Sequence, residues 1–179
     1  MLEYLQEYLG VYLATFIMWG FLMAFLYNMV KKSSSVGGGD KTVMWIALAM
    51  FLSYMVSDPL LNVTLGYNIL NTTLAYLIWA ASDLIMLSFI WFVTRKKSLN
   101  EVPAKLYIFT GLSVNILLFL AMYYDTNYAH FTGHWWFWDV YTVTVNTMDI
   151  MMIIALLCNK DFLGLVKLYR WGRGQAKLT

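Results

Sequence analysis

Two carboxylates, Asp83 and Asp149, stand inside long apolar stretches of the chain and are the only acidic or basic residues placed there. Asp83 lies twelve residues before Arg95 and Asp149 eleven before Lys160. At a helical rise of about 1.5 Å per residue, both sit roughly 17 Å from a basic helix end. That depth is the middle of a hydrocarbon core about 30 Å thick. A charged carboxylate there costs from about a few to more than ten kcal/mol unless it is neutral, paired or wet. No Lys or Arg lies deep enough in any apolar stretch to pair with either acid. Two uncompensated charges cost more than neutralising one with a proton, so the two acids are expected to face each other and hold a proton or a small cation. The competing reading is interhelical hydrogen-bond glue, worth about 0.6 to 2 kcal/mol per contact.

The neighbours extend the polar character. Thr142, Asn146 and Asp149 recur at i, i+4 and i+7, a spacing that lines one helix face, with Thr144 and Thr147 beside them. Tyr76 lies two turns before Asp83, and Ser82 adjoins it. Asn115, ten residues after Lys105, falls at a similar depth, together with Thr110 and Ser113. The candidate proton- or cation-binding set is therefore Asp83, Asp149, Asn146, Asn115, Thr142 and Tyr76.

Other chemistries have less support. His130 and His134 are four apart and would share a helix face as zinc ligands, but Gly133 weakens that helix and no third ligand is evident. Trp135, Trp136 and Trp138, with Phe137, read as an aromatic belt at a membrane interface rather than a cage for a cationic ligand. The lone cysteine, Cys158, reads as a small packed hydrophobe. The triplets Asn62-Val63-Thr64 and Asn71-Thr72-Thr73 match a glycosylation pattern that chance also supplies. There is no Lys in a span for a Schiff base, no His in a span for haem, and no Walker, dinucleotide, HExxH or Gly-x-Ser-x-Gly motif. Neither an enzyme nor a cofactor is expected.

The elements that must position these residues follow from composition. The chain is 61% hydrophobic and 12% charged, far from the make-up of a soluble domain. Charged residues divide it into five continuous apolar runs, 8–30, 42–57, 72–94, 106–124 and 140–158, each near the length a helix needs to cross a bilayer. The runs do not alternate with period two, so helices rather than barrel strands are expected. The fold class is an all-α polytopic transmembrane helix bundle of about five spans over residues 1–159, followed by a basic amphipathic tail over 160–179. The run 60–70 would prolong the short second span. Lys41 and Lys105, Asp58 and Asp125, and Asp83 and Asp149 are offset by 64, 67 and 66 residues. Those offsets suggest one helix followed by two tandem helical hairpins.

All twelve basic residues fall at one side of this arrangement: in the Ser- and Gly-rich first loop, in the third loop, or in the tail. The positive-inside rule then places the N-terminus outside the cell and the C-terminus in the cytoplasm, in the cell membrane. The start lacks a basic leader and cleavage site, so the first span is expected to persist as a helix. In the tail, Phe162, Leu165, Val166 and Tyr169 recur at helical spacing beside Lys167 and Arg170. A short helix in the headgroup region is expected, with Lys167, Arg170 and Trp171 at the interface.

Three readings follow: a transporter or channel subunit using midplane aspartates, an assembly or immunity protein docking on another membrane protein, and a membrane sensor with an aromatic outer loop. The partners expected are the lipid bilayer and a second copy or another membrane protein. The basic excess is explained by orientation, so no nucleic acid is expected. The orientation is directly testable: a cysteine placed at Ser34 should resist membrane-impermeant maleimide in intact cells and react once the membrane is opened. Labelling from outside would reverse the topology.

Overall fold

The computed structural model describes residues 2–34, 40–57, 74–129 and 135–174, with side chains from residue 12 onward in the first segment. His130 and His134, the run 60–70 and both glycosylation triplets lie outside the described residues. The described chain is helical: α1 (Leu2–Ser33), α2 (Lys41–Ser57), α3 (Ala75–Thr94), α4 (Ala104–Tyr124), α5 (Trp136–Cys158) and α6 (Leu165–Gly172). A π-helical turn, Asp125–Ala129, prolongs α4.

Four segments, Tyr12–Ser33, Ala75–Thr94, Ala104–Tyr128 and Trp136–Cys158, are long and apolar enough to cross a bilayer, and α2 is a shorter apolar helix. Their outward faces are as apolar as their inward ones. Phe16, Met23, Ile85, Leu117 and Val143 are 63–70% exposed. Side chains of this kind presented outward all round a bundle need lipid as solvent. The chain is a multi-pass membrane protein built as a helix bundle.

The helices close into a ring. Each of α2 to α5 packs against its chain neighbours, and α1 packs against both α2 and α5. The most extensive contact is between α3 and α4, while α2 and α3 touch more sparingly. The first helix is thus a full member of the ring, packed beside the two hairpins. Its approach to α5 is close at Gly20, where an added Cβ would lie 2.6 Å from Ile153 Cδ1. On the other flank of α5, Gly111 of α4 meets Met152 equally closely. Small residues at such crossings let helix backbones approach where lipid offers no hydrophobic drive to association. Asn28 adds a polar tie, donating to Leu156 O at 2.9 Å and to Ala24 O at 2.8 Å.

Element ends follow local chemistry. The α3–α4 loop carries Ser98-x-x-Glu101, whose hydroxyl and carboxylate meet at 2.9 Å, while each side chain also takes the other residue's backbone N–H. This reciprocal pattern, like that of a capping box, closes a turn of the loop ahead of Pro103, the residue that precedes α4. Helix α5 ends on Asn159 in the left-handed conformation, φ 45°, with its N–H bonded to Ala155 O. Asn tolerates that conformation better than most residues. The fifth span begins at Trp136, four residues before the apolar run, because the exposed Asp139 falls in the first helical turn. An acid there complements the helix dipole and does not interrupt the helix.

Helix α6 folds back onto the bundle. The phenol of Tyr107 donates to Asp161 Oδ1 at 2.6 Å and accepts the N–H of Leu163 at 2.9 Å. The Tyr107 ring stacks on Phe162 at 4.8 Å. Asp161 also receives the N–H groups of Val166 and Lys167, at 3.1 and 3.2 Å. It thereby caps the first turn of α6 from outside the helix. Val166 is buried, whereas Leu168 and Trp171 are exposed.

Partial burial pushes the Asp161 carboxyl upward. Hydrogen bonds from Tyr107, Val166 and Lys167, with the Lys167 charge, outweigh that effect and hold it below the ordinary carboxylate range. Its stabilisation is therefore present above the unfolded-state pKa and is lost as pH falls through the lower folded-state value. Asp161→Ala should weaken docking of α6 by about 1 kcal/mol at neutral pH. A spin label at Leu168→Cys should report this as increased mobility, and acidification through the carboxylate range should remove the difference between the variant and its parent.

Candidate functional site

Near the middle of the ring, one carboxylate oxygen gathers three helices. Asp149 Oδ1, on α5, accepts the phenol of Tyr54 from α2 at 2.5 Å and the amide of Asn115 from α4 at 2.9 Å. Asp149 and Asn115 are 4% and 1% exposed. Asp83, on α3, is 7% exposed and lies within electrostatic reach of Asp149. Each of four consecutive helices thus contributes one polar group. Beside them, Ser53 and Ser82 share a hydroxyl hydrogen bond of 3.1 Å that ties α2 to α3.

The two carboxylates differ in how they are satisfied. Asp149 Oδ1 has two donors, but Asp83 Oδ2 is buried without a hydrogen-bond partner, and so is Asn115 Oδ1. Among the described residues, neither aspartate is in a salt bridge with Lys or Arg. The cluster therefore presents acceptor oxygens in excess of donors. Buried oxygens of this kind call for a donor or a cation.

Apolar residues close one side. Toward the basic ends of the helices, Ile46, Met50, Ile90, Ile108, Leu112 and Met152 are buried and pack into one core. Toward the other end lies an aromatic layer. Tyr76 meets Tyr141 edge-on at 6.0 Å and Trp79 at 5.5 Å; Phe119 meets Trp79 at 5.7 Å and Tyr141 at 6.0 Å. Tyr141 is within electrostatic reach of both aspartates. Phe21 of α1 packs on the Tyr54 ring at 4.6 Å, holding the phenol from behind.

The residues expected from sequence to line the site are placed unequally. Asp149 and Asn115 meet at the centre, Asp83 lies within electrostatic reach of Asp149, and Tyr76 stands in the aromatic layer. Thr142 is exposed, and Asn146 turns its amide back to Thr142 O at 2.6 Å. Thr147 bonds to Val143 O in the same way. Hydroxyl and amide donors can bond to the carbonyl four residues back in their own helix, so they need no partner across the bundle. A carboxylate has no such recourse, because the N–H groups of a helix interior are already used. At the aromatic end, Trp135 Nε1 donates to the buried Asp125 at 3.1 Å, Trp136 is exposed, and Trp138 is half-buried. In the tail, Lys167 and Trp171 are exposed and Arg170 is half-buried.

Two site residues were not picked out from sequence, Tyr54 and Tyr141. Tyr54 lies thirteen residues after Lys41, a depth of roughly 20 Å. The depth count that singled out the aspartates, extended from ionised groups to phenols, selects it. Comparison of the chain with protein-family models, with curated proteins and with solved structures finds no match to any of them.

Tyr54→Phe removes one donor from a buried carboxylate and should destabilise the bundle by about 0.6 to 2 kcal/mol. Ser57→Ala, one turn along α2, should change stability by no more than about 0.5 kcal/mol, because Ser57 Oγ bonds only to Ser53 O and Tyr54 O of its own helix. Unfolding in mixed micelles measures both, and equal losses would show that Tyr54 contributes nothing through Asp149.

Proposed function

We propose that the protein is a non-enzymatic transporter or channel subunit of the cell membrane, in which Asp83 and Asp149 bind a proton or a small cation at the bilayer midplane. Its N-terminus is outside and its C-terminus cytoplasmic, on the strength of the one-sided basic residues. The observation that carries the reading is the buried, unpartnered Asp83 Oδ2, within electrostatic reach of Asp149, whose own partner Asn115 also keeps an unpartnered oxygen.

The two acids take different parts. Asp149, held by Tyr54 and Asn115, is the fixed charge of the site, and Asp83 is the group that accepts and releases the ligand. A proton suits the set better than a metal cation. Hard divalent cations take about six or more oxygens, and the free acceptors here are fewer. The phenols of Tyr76 and Tyr141 are hydroxyls through which a proton could approach the aspartates across the aromatic layer. A wide pathway is not needed for a proton; for a larger ion, it would have to run between copies of the chain, since Ile46, Met50, Ile90 and Ile108 pack together on the basic side of the aspartates.

The closed Tyr54–Asp149–Asn115 contact favours a second reading, in which the aspartates only hold the bundle and the protein docks on another membrane protein. The two readings separate at Asp83. Proteoliposomes carrying an internal pH-sensitive dye should show proton flux with the parent protein. Asp83→Asn should reduce it to the level of protein-free vesicles while leaving the helical circular dichroism unchanged, because an amide can fill the same volume without exchanging a proton. Asp149→Asn should reduce flux less. Full flux from both variants would remove the transport reading and leave the docking one.

A further inference from the structure

We infer that the basic end of the bundle carries a binding site for the phosphate headgroup of an anionic phospholipid, built jointly by the α3–α4 loop and α6. A cavity of about 560 Å³ opens there, lined by Lys97, Lys105, Arg170 and Arg173 together with apolar Leu106 and Phe109. That volume falls within the ~300–1,000 Å³ of small-molecule sites. This site is independent of the midplane aspartates.

The charges in the cavity are not balanced from within. Among the described residues the one acid paired with them is Glu101, 3.5 Å from Lys97. Lys105 Nζ donates to the carbonyls of Thr94 and Lys97, which take two of its protons, and Glu101 is within electrostatic reach of it. Arg173 lies over the Tyr169 ring at 5.4 Å. Two guanidinium groups, Arg170 and Arg173, therefore border the cavity without a carboxylate partner among the described residues, and guanidinium pairs bidentately with phosphate oxygens.

The apolar part of the site selects a lipid over a free anion. Leu106 and Phe109 lie at the start of α4, where the helix enters the apolar span. Leu163, Leu168 and Trp171 around α6 are 61–72% exposed. A phosphate held among the four basic residues would thus have its acyl chains beside an apolar wall, as a phospholipid requires and inorganic phosphate does not. Basic pockets between membrane helices at a headgroup boundary bind anionic lipids by this combination of charge and apolar contact. The Tyr107–Asp161 lock, by fixing α6 on the bundle, brings Arg170 and Arg173 to the loop lysines.

The test is native mass spectrometry of the full chain released from detergent, titrated with phosphatidylglycerol and with phosphatidylcholine of identical acyl chains. The parent protein should retain phosphatidylglycerol about tenfold more tightly. The double variant Arg170→Gln/Arg173→Gln should lose that preference. Lys31→Gln/Lys32→Gln, equal in charge removed and outside the cavity, should keep it. Millimolar inorganic phosphate should not displace the retained lipid. Equal retention of the two lipids by the parent protein would overturn the inference, and so would an equal loss in both double variants. Displacement by inorganic phosphate would overturn the lipid as the ligand and assign the site to a free anion.

Discussion

A carboxylate buried in an apolar helix bundle has to find its hydrogen-bond donors on other helices, and the interior of this bundle is organised around that demand. Asp149 draws Tyr54 from α2 and Asn115 from α4 to one oxygen. This fixes the rotation of three helices about their axes at a common depth. In water such a contact would compete with solvent; in lipid the alternative is an unsatisfied charge, so the arrangement is specified by what it avoids. The helices themselves carry little rotational information, since α1 to α5 are apolar all round. A polar tie supplies the register that hydrophobicity cannot.

Packing then fills the space the tie defines. Gly20 and Gly111 let α1 and α4 approach α5 from its two flanks at Ile153 and Met152. Asn28 repeats the polar logic nearer the basic end, linking α1 to the α5 backbone. The fully buried Ile46, Met50, Ile90 and Ile108 close the same half of the ring. The opposite half is shared between the rings of Tyr76, Trp79, Phe119 and Tyr141, which bring hydroxyl groups as well as surface. The surroundings of the aspartates are thus asymmetric along the axis, one side aliphatic and one side aromatic with phenols.

The tail shows how a surface element is held without much core. Helix α6 is eight residues long, too short to persist alone in water. Tyr107 supplies a ring for Phe162 and a phenol for Asp161, and Asp161 in turn caps the first turn of α6. The result is a helix with Val166 inward, Leu168 and Trp171 outward, and Arg170 and Arg173 along a shared cavity with the α3–α4 loop.

Much of this was legible in the sequence, for reasons of scale. Lipid solvation acts on every residue of a span, so apolar run length and the one-sided basic residues marked the helices and their ends without reference to any contact. Depth is also linear along a helix, so counting from Arg95 and Lys160 put Asp83 and Asp149 at one level. Direction around the helix was not legible. The i, i+4, i+7 spacing placed Thr142 and Asn146 with Asp149, yet Thr142 is exposed and Asn146 bonds within its own helix, because donors have a local partner that a carboxylate lacks. For Tyr54, depth along α2 is legible but direction is not, since its local sequence does not distinguish a phenol that reaches a carboxylate from one that reaches lipid. The sequence by itself determined which segments form long apolar helices and how far along them their polar groups lie, because both depend on single helices in a uniform solvent. Only the tertiary structure decided that α1 closes the ring, that Asp149 is satisfied and Asp83 is not, and that the tail completes a basic cavity. Each of these depends on the rotation of one helix against another, and that is set by contacts between residues far apart in the chain.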